Sequence, residues 1–193
     1  GMPMVGYEVC WSGDRDAGAK YLESLRAVAE PAFHDAAPQR YVTMQASLDE
    51  SMANGKYYYV KNGFLNSLTD DGIDLAVDVF RRSPGEFLLF FDPTDGAYHH
   101  LAADAAGFPN RCALDWMGLV AKWPTPEGAE ARIAKIRAAW KELAPLTSGF
   151  YSNLADADEP LSAYRENYGA NLERLIKLKA KYDPMNLFRL NAN

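Results

Sequence analysis

The chain has 193 residues, of which 48% are hydrophobic and 24% charged, and its formal net charge is -6 at pH 7. This length and composition are typical of a soluble globular protein with room for a sizeable core. The acidic balance argues against nucleic-acid binding, and the lack of an 18-residue apolar stretch or a signal-peptide pattern argues against a membrane span and secretion. We therefore expect a cytoplasmic protein.

The N-terminal part begins with a short, apolar, β-rich stretch over residues 4–11, which predicts a strand. A helix is expected over 15–29 with Ser12 or Asp14 as its N-cap, so that the chain opens with a β-α unit. Residues 41–48 fit either a short strand or a turn of helix, and the pattern does not choose between them.

The middle of the chain shows alternating strand and helix patterns. Residues 56–61 are rich in tyrosine and predict a strand, and 70–82 predict a helix with aspartates at its start and arginines at its end. The apolar stretch 86–91 predicts a central strand, which should return antiparallel over 97–102 after a turn. A further apolar strand is expected over 113–123.

The C-terminal part should contain a long helix over 127–143, a strand over 150–154 and a last amphipathic helix. This last helix should end near Tyr182, because Pro184 disfavours the helical conformation of the residue before it. Together these elements predict one α+β domain over residues 1–193. We expect a mostly antiparallel sheet of five to seven strands with helices packed on one face.

Three segments carry motifs in a fixed order. They are Phe-Pro-Asn-Arg at 108–111 before an apolar strand, Tyr-Ser-Asn at 151–153, and a long helix closed by Lys-Tyr-Asp-Pro and Asn-Leu-Phe at 181–188. In this order and spacing they resemble the C-terminal substrate-binding domain of the berberine-bridge-enzyme-like FAD-linked oxidases, which belong to the vanillyl-alcohol-oxidase-type flavoproteins.

The resemblance implies the substrate-binding half of an FAD-dependent oxidoreductase that passes a hydride from a substrate carbon to the flavin. In such oxidases a separate domain of different fold holds FAD, and the open sheet face looks toward the flavin. That FAD-binding domain is absent from this chain, and no glycine-rich fingerprint between a strand and a helix is present. We therefore expect FAD only with a separate FAD-binding domain, in cis or in trans, and none in the isolated chain.

The resemblance also implies two candidate site residues, Tyr151 as the catalytic group and Asn153 near the cofactor. The tyrosine of the family motif can act as a base toward a substrate hydroxyl, and a phenol needs a cationic neighbour to do so near neutral pH. In some relatives a lysine on the preceding strand supplies the charge, whereas here the place falls near Trp116 and Gly118. Tyr151 is otherwise read as an ordinary half-buried strand tyrosine.

Other groups of residues indicate no further site. His99 and His100 should point to opposite faces of a strand, so no metal site is expected. Cys10 and Cys112 are expected to be buried free thiols, and residues 155–160 a solvated acidic loop. Asn186 and Phe188 should anchor the C-terminal tail. The alternative function is a non-catalytic ligand-binding or self-associating domain, with a homodimer formed through the exposed sheet face and a small molecule as ligand.

Overall fold

The computed structural model describes residues 4–156 and 158–190 of the chain. The chain forms two compact units, Gly1–Asn54 and Gly55–Asn193. The single domain expected over residues 1–193 stays a prediction. Among the described residues, none of the helices is both long and apolar enough to cross a lipid bilayer.

The first unit contains a helix, α1 (Arg15–Arg26), in which the Asp14 carboxylate accepts a hydrogen bond from Ala17 N at 2.9 Å. Asp14 is therefore the N-cap of the predicted helix, which is three residues shorter than expected. The strand predicted over 4–11 is wrong, because these residues are irregular and Val5 is 90% exposed. An isolated strand without a ladder partner gains too little to form.

Residues 41–48 adopt the helical alternative. A short helix, α2 (Tyr41–Gln45), is followed by a 3₁₀ turn over Ala46–Leu48.

Gly18 of α1 lies against the indole of Trp11, and an added Cβ at Gly18 would approach that ring within 2.6 Å. The Trp11 ring also stacks on Tyr21 at a centroid distance of 5.6 Å, so the chain before α1 packs against that helix.

The second unit is built on three antiparallel strands, β1 (Tyr57–Leu65), β2 (Leu88–Pro93) and β3 (Asp115–Trp123). Their order is β1-β3-β2, so β3 is the central strand and β2, which was expected to be central, lies at an edge. The described residues thus confirm an α+β fold with an antiparallel sheet, but they contain three strands rather than five to seven.

The strand expected over 97–102 is also wrong. The chain forms a 3₁₀ turn over Gly96–Tyr98, in which the Asp95 carboxylate accepts a hydrogen bond from Gly96 N at 2.6 Å. The Tyr98 hydroxyl then donates to the carbonyl of Asn110. Local backbone bonds, from His99 N to the carbonyl of Gly96 and from His100 N to that of Ala97, take the place of a strand ladder here.

Two helices pack on one face of this sheet, α3 (Asp70–Arg82) and α4 (Ala129–Leu143). The bounds of α3 agree with the prediction, and Thr69 caps its start by accepting a hydrogen bond from Gly72 N at 3.2 Å. The odd-numbered strand residues face these helices and form the core with them. The most buried apolar members are Leu65, Val79, Met117, Leu119, Ile136 and Leu143.

The outer edge of β1 is covered by residues 148–156, which we call the edge segment. Its first part pairs with the strand backbone, since Ser148 N donates to the carbonyl of Phe64 at 2.7 Å. Further along, the Asp156 carboxylate accepts a hydrogen bond from Val60 N at 2.8 Å. Ser152–Leu154 is a 3₁₀ turn, so the strand predicted over 150–154 is wrong. Side chains complete the pairing that a fourth strand would otherwise provide.

The chain closes with two helices, α5 (Leu161–Tyr168) and α6 (Leu172–Tyr182), separated by a 3₁₀ turn over Gly169–Asn171. Gly169 has a φ of 47°, a conformation that glycine adopts readily, and it ends α5. The predicted end of the last helix at Tyr182 is confirmed.

Candidate functional site

Three aromatic rings form a row on the sheet face opposite the helices, which we call the open face. Even-numbered strand residues share this face. The ring of Trp116 lies between Phe90 and Tyr151, with centroid distances of 4.8 and 5.5 Å and interplanar angles of 69° and 78°. Such edge-to-face contacts are the favoured geometry for aromatic pairs. Gly118 is required beneath Phe90, because a Cβ there would approach that ring within 2.5 Å.

Asn62 of β1 holds two of these residues in place, and it is only 7% exposed. Its Oδ1 accepts hydrogen bonds from Trp116 Nε1 at 3.0 Å and from the backbone N of Tyr151 at 2.7 Å. Its Nδ2 donates to the carbonyl of Leu154 at 3.2 Å. One buried amide therefore sets the position of Tyr151 relative to Trp116. The sequence signal for it was an asparagine, which is rare in strands, within a clear strand pattern.

Tyr151 and Asn153 are brought together by a turn rather than by a strand. The turn over residues 152–154 places Asn153 Nδ2 at 2.8 Å from Tyr151 Oη, to which it donates a hydrogen bond. Tyr151 is half-buried and Asn153 is exposed. Within the described residues the hydroxyl proton of Tyr151 has no acceptor, so it is available to a bound molecule.

The surroundings of the Tyr151 hydroxyl contain no contacting cation among the described residues. Trp116 stands beside Tyr151, as the sequence predicted, and Asp115 lies on the helix-facing side of β3. A carboxyl that sequence reasoning missed is Asp92, which lies directly across from Trp116 in the register of β2 and β3. Burial raises the pKa of Asp92. The open face thus combines a phenol, an indole and one nearby acid.

The acidic residues after the edge segment are not a solvated loop, and that prediction is wrong. The Lys61 ammonium, whose side chain is 8% exposed, pairs with Asp158 at 2.9 Å and with Glu159 at 2.5 Å. Asp158 also accepts hydrogen bonds from Tyr59 Oη at 2.7 Å and from Arg137 Nε at 2.8 Å. We call these five residues the ionic clasp; it ties the chain beyond the edge segment to β1 and α4.

The clasp shifts the protonation equilibria of its members. Burial works against the charge of Lys61, but its hydrogen bonds to Glu159 and Asp158 outweigh burial and raise the pKa of Lys61. Burial likewise disfavours the Asp158 carboxylate, yet donation from Lys61, Tyr59 and Arg137 lowers the pKa of Asp158 to about 2. Both groups are therefore charged at neutral pH.

The histidines and cysteines indicate no metal centre. His99 lies in a loop, with Nε2 at 2.8 Å from the carbonyl of Ala113, and His100 is exposed. Within the described residues no group of His, Cys, Asp and Glu side chains has the arrangement of a metal site. Cys10 and Cys112 are free, as expected, but both are exposed rather than buried.

The C-terminal tail is ordered by Asp183 rather than by Phe188. The Asp183 carboxylate accepts hydrogen bonds from Leu187 N at 2.8 Å and Phe188 N at 3.0 Å, and it pairs with Lys179 at 2.5 Å. Phe188 is 84% exposed, so the expectation that it anchors the tail is wrong. Asn186 is half-buried with a φ of 52°.

A small cleft elsewhere in the second unit does not mark the site. It has a volume of about 80 Å³ and lies between the loop at Ala106 and Gly107 and one side of α6. Sites for small organic molecules usually measure about 300–1,000 Å³. Neither Tyr151 nor Asn153 lines this cleft.

Comparisons with known proteins identify relatives of this chain. Residues 150–193 match the family described as berberine and berberine like. The chain is 24% identical over 186 residues to an FAD-linked oxidoreductase of Dictyostelium discoideum, covering 95% of this chain and 40% of that protein. It is 31% identical over 168 residues to berberine bridge enzyme-like C-1 of Nicotiana tabacum, covering 70% of this chain and 29% of that protein.

Solved structures show the same fold. The BBE-like 1 protein of Physcomitrella patens superimposes with a TM-score of 0.73 at 21% identity, over 90% of this chain and 41% of that one. The chain thus spans about 40% of the length of the Dictyostelium and Physcomitrella proteins. The resemblance predicted from the sequence is confirmed: the chain is similar to the berberine bridge enzyme-like FAD-linked oxidoreductases over this part of their length.

Proposed function

We propose that the chain is the substrate-binding part of an FAD-dependent oxidoreductase in which a hydride passes from a substrate carbon to the flavin. The observation that carries this proposal is the fixed arrangement of Tyr151, Asn153 and Trp116 on the open face of the sheet. It occurs in a chain whose relatives are named FAD-linked oxidoreductases. The match covers only 40% of the Dictyostelium relative, which supports a role as one part of a larger protein or complex.

The residues of the open face fit a planar group. Phe90, Trp116 and Tyr151 present aromatic surface that can pack against a flat ring system, and Asn153 lies at the exposed end of this row. Bound FAD supplies the hydride acceptor. The side chains of this chain would hold the substrate against it and exclude water from the reacting carbon.

Tyr151 is the group that would contact the reacting substrate. Asn153 occupies one lone pair of the phenolic oxygen, which leaves the hydroxyl proton directed to a substrate oxygen. The place of the lysine that some relatives carry falls near Trp116 in this chain. We therefore propose that the Tyr151 hydroxyl orients the substrate through a hydrogen bond and does not remove a proton from it. Removal of a substrate proton by a tyrosinate would need a cation from the partner.

The partner in this proposal is an FAD-binding domain, in cis or in trans. Reconstitution tests it: the chain is mixed with the FAD-loaded N-terminal part of the Dictyostelium relative, and flavin absorbance is followed through gel filtration. We expect the chain alone to elute without flavin and the mixture to elute as a flavin-containing complex. Retention of FAD by the chain alone would contradict the proposal.

The catalytic assignment needs a separate measurement. Anaerobic bleaching of the flavin by a panel of alcohols is compared for the wild-type complex, Tyr151→Phe and Asn153→Ala. We expect Tyr151→Phe to slow bleaching by at least about tenfold, in the range of one lost transition-state hydrogen bond. Tyr7→Phe, a change at an exposed tyrosine of the first unit, serves as the matched control.

The exposed tail favours a second candidate, a domain whose main role is association. Met185, Leu187 and Phe188 are 80%, 73% and 84% exposed, and several large apolar side chains exposed within four residues favour a role in association. A homodimer through the open face remains part of this alternative. Light scattering of the purified chain distinguishes the two, since a monomer without the FAD-binding domain would count against self-association.

A further inference from the structure

The loop before β3 contains a cation that is held by aromatic rings. The guanidinium carbon of Arg111 lies 5.6 Å from the ring centroid of Tyr98 and 5.2 Å from that of Phe108. The two rings are 5.7 Å apart and inclined by 61°, so they form a corner against which the guanidinium rests. Both distances are within the range of cation–π attraction.

The corner is fixed to the sheet rather than formed by mobile side chains. The Tyr98 hydroxyl donates to the carbonyl of Asn110. The ring of Phe108 packs edge-to-face on Phe64 at 5.4 Å, and Phe64 is only 4% exposed. Arg111 is therefore held in one orientation before any ligand arrives, which reduces the entropy lost on binding.

Arg111 has no counter-ion in the part of the chain that the structure describes. Its side chain takes part in none of the ion pairs or hydrogen bonds there, and its Nε is buried without a partner. The other arginines of the described residues are exposed, except Arg26, which pairs with Glu23. A half-buried guanidinium whose N–H groups lack acceptors lowers the stability of the fold unless a ligand accepts their hydrogen bonds.

Arg111 lies on the same side of the sheet as Tyr151. Phe64, on which Phe108 packs, is directly across from Trp116 in the register of β1 and β3, so both belong to the open face. A second connection runs through Asn167, whose Oδ1 accepts from Asn110 Nδ2 at 3.4 Å and from Phe150 N at 2.8 Å. The segments that carry Arg111 and Tyr151 are thus linked to each other.

We propose that Arg111 is an anion-binding residue that receives a carboxylate or phosphate group of a small molecule bound at the open face. The planar guanidinium offers paired N–H donors that match both groups, and its terminal nitrogens, unlike its Nε, are not both buried and unpartnered. The whole chain has a net charge of -6 and repels anions on average, so binding of an anion would have to come from this local contact with Arg111. This site does not depend on flavin chemistry.

The test uses the whole chain and three probes, sodium benzoate, sodium acetate and inorganic phosphate, at constant ionic strength. Binding is followed by two-dimensional NMR of the arginine Nε–Hε resonances, because we expect burial of the Nε–H of Arg111 to slow its exchange with water. We expect a saturable shift of one such resonance. Benzoate binding more tightly than phosphate assigns a carboxylate next to aromatic surface, and the reverse order assigns a phosphate.

Variants separate the site from general charge effects. Both Arg111 variants lose the Nε–Hε resonance, so their binding is followed by the backbone amide shifts of Tyr98 and Phe108 in the same titrations as for the wild type. Arg111→Gln should weaken binding by at least about tenfold, and Arg111→Lys by several-fold because the charge remains while the paired donors are lost. Arg81→Gln, at an exposed arginine of α3, should leave binding unchanged. Circular dichroism shows whether each variant is folded. No saturable shift with any probe, or equal affinity in folded Arg111→Lys and Arg111→Gln and the wild type, overturns the proposal.

Discussion

Substitution of Asp158 by asparagine tests how much the ionic clasp stabilises the second unit. The change keeps the shape of the side chain but removes its charge, while Glu159 remains at 2.5 Å from the Lys61 ammonium. Three donors lose a charged acceptor at once, namely Lys61 Nζ, Tyr59 Oη and Arg137 Nε. Hydrogen bonds to a charged group are stronger than neutral ones, so we expect a measurable loss.

The magnitude follows from the protonation equilibrium. The pKa of Asp158 is about 2 in the folded chain, against about 3.9 for an aspartate in an unfolded chain. By linkage this difference corresponds to at most about 2.6 kcal/mol at pH 7. The side chain is 28% exposed and partly screened by water, so we expect about 1–2 kcal/mol.

The pH dependence has a definite sign. The folded-state pKa of Asp158 is lowered, so the stabilisation is complete above about pH 4 and is lost as the pH falls toward 2. The stability difference between wild type and Asp158→Asn should therefore shrink to about half between pH 7 and pH 3.

Urea unfolding at pH 7, 5 and 3, followed by tryptophan fluorescence, measures this difference. Asp78→Asn is the matched control, because Asp78 pairs with Arg82 on the exposed side of α3, where such pairs contribute about 0.5 kcal/mol or less. A cost of Asp158→Asn no larger than that of the control, or one that stays constant from pH 7 to pH 3, would refute the reasoning.

Three further changes test the open face and the tail. Gly118→Ala should lower the free energy of unfolding by about 1–3 kcal/mol, because the added Cβ overlaps the ring of Phe90, and thermal unfolding measures it. Asn62→Leu leaves the half-buried Trp116 side chain without the acceptor of its Nε1, so we expect a loss of about 1–3 kcal/mol and a change in the emission wavelength of tryptophan fluorescence. Asp183→Ala should speed hydrogen exchange at the two tail amides that its carboxylate binds, without changing exchange in α4; unchanged exchange at these amides would contradict the role of Asp183.

Elements defined by local signals were predicted well from the sequence. Helix α3 has a capping threonine, aspartates in its first turn and arginines in its last turn, and its bounds agree with the prediction. The end of α6 at Tyr182 follows from the restriction that Pro184 places on Asp183. In each case the residues that decide the structure are close together in sequence.

Features that depend on distant partners were not predicted. Residues 150–154 have the composition of a strand, but the acceptor for Tyr151 N is the side chain of Asn62, 89 positions away. The acidic residues at 158 and 159 resemble a solvated loop until Lys61, 97 and 98 positions away, is placed beside them. Tyr151 and Asn153 were identified by resemblance. Arg111 was part of a motif noted in the sequence, but its contacts, like those of Asn62 and the position of Asp92, became visible only in the structure.

The attachment of Tyr151 to a side chain has a consequence for how this surface can change during evolution. A residue within a ladder moves whenever its strand shifts register, and a one-residue slip turns it to the opposite face. The position of Tyr151 is set instead by the hydrogen bond from its backbone N to the side-chain amide of Asn62, and the turn that follows it ends at Leu154. Insertions or deletions after that turn can therefore change the surface beside Tyr151, and so the molecules that fit there, without moving the Tyr151 side chain.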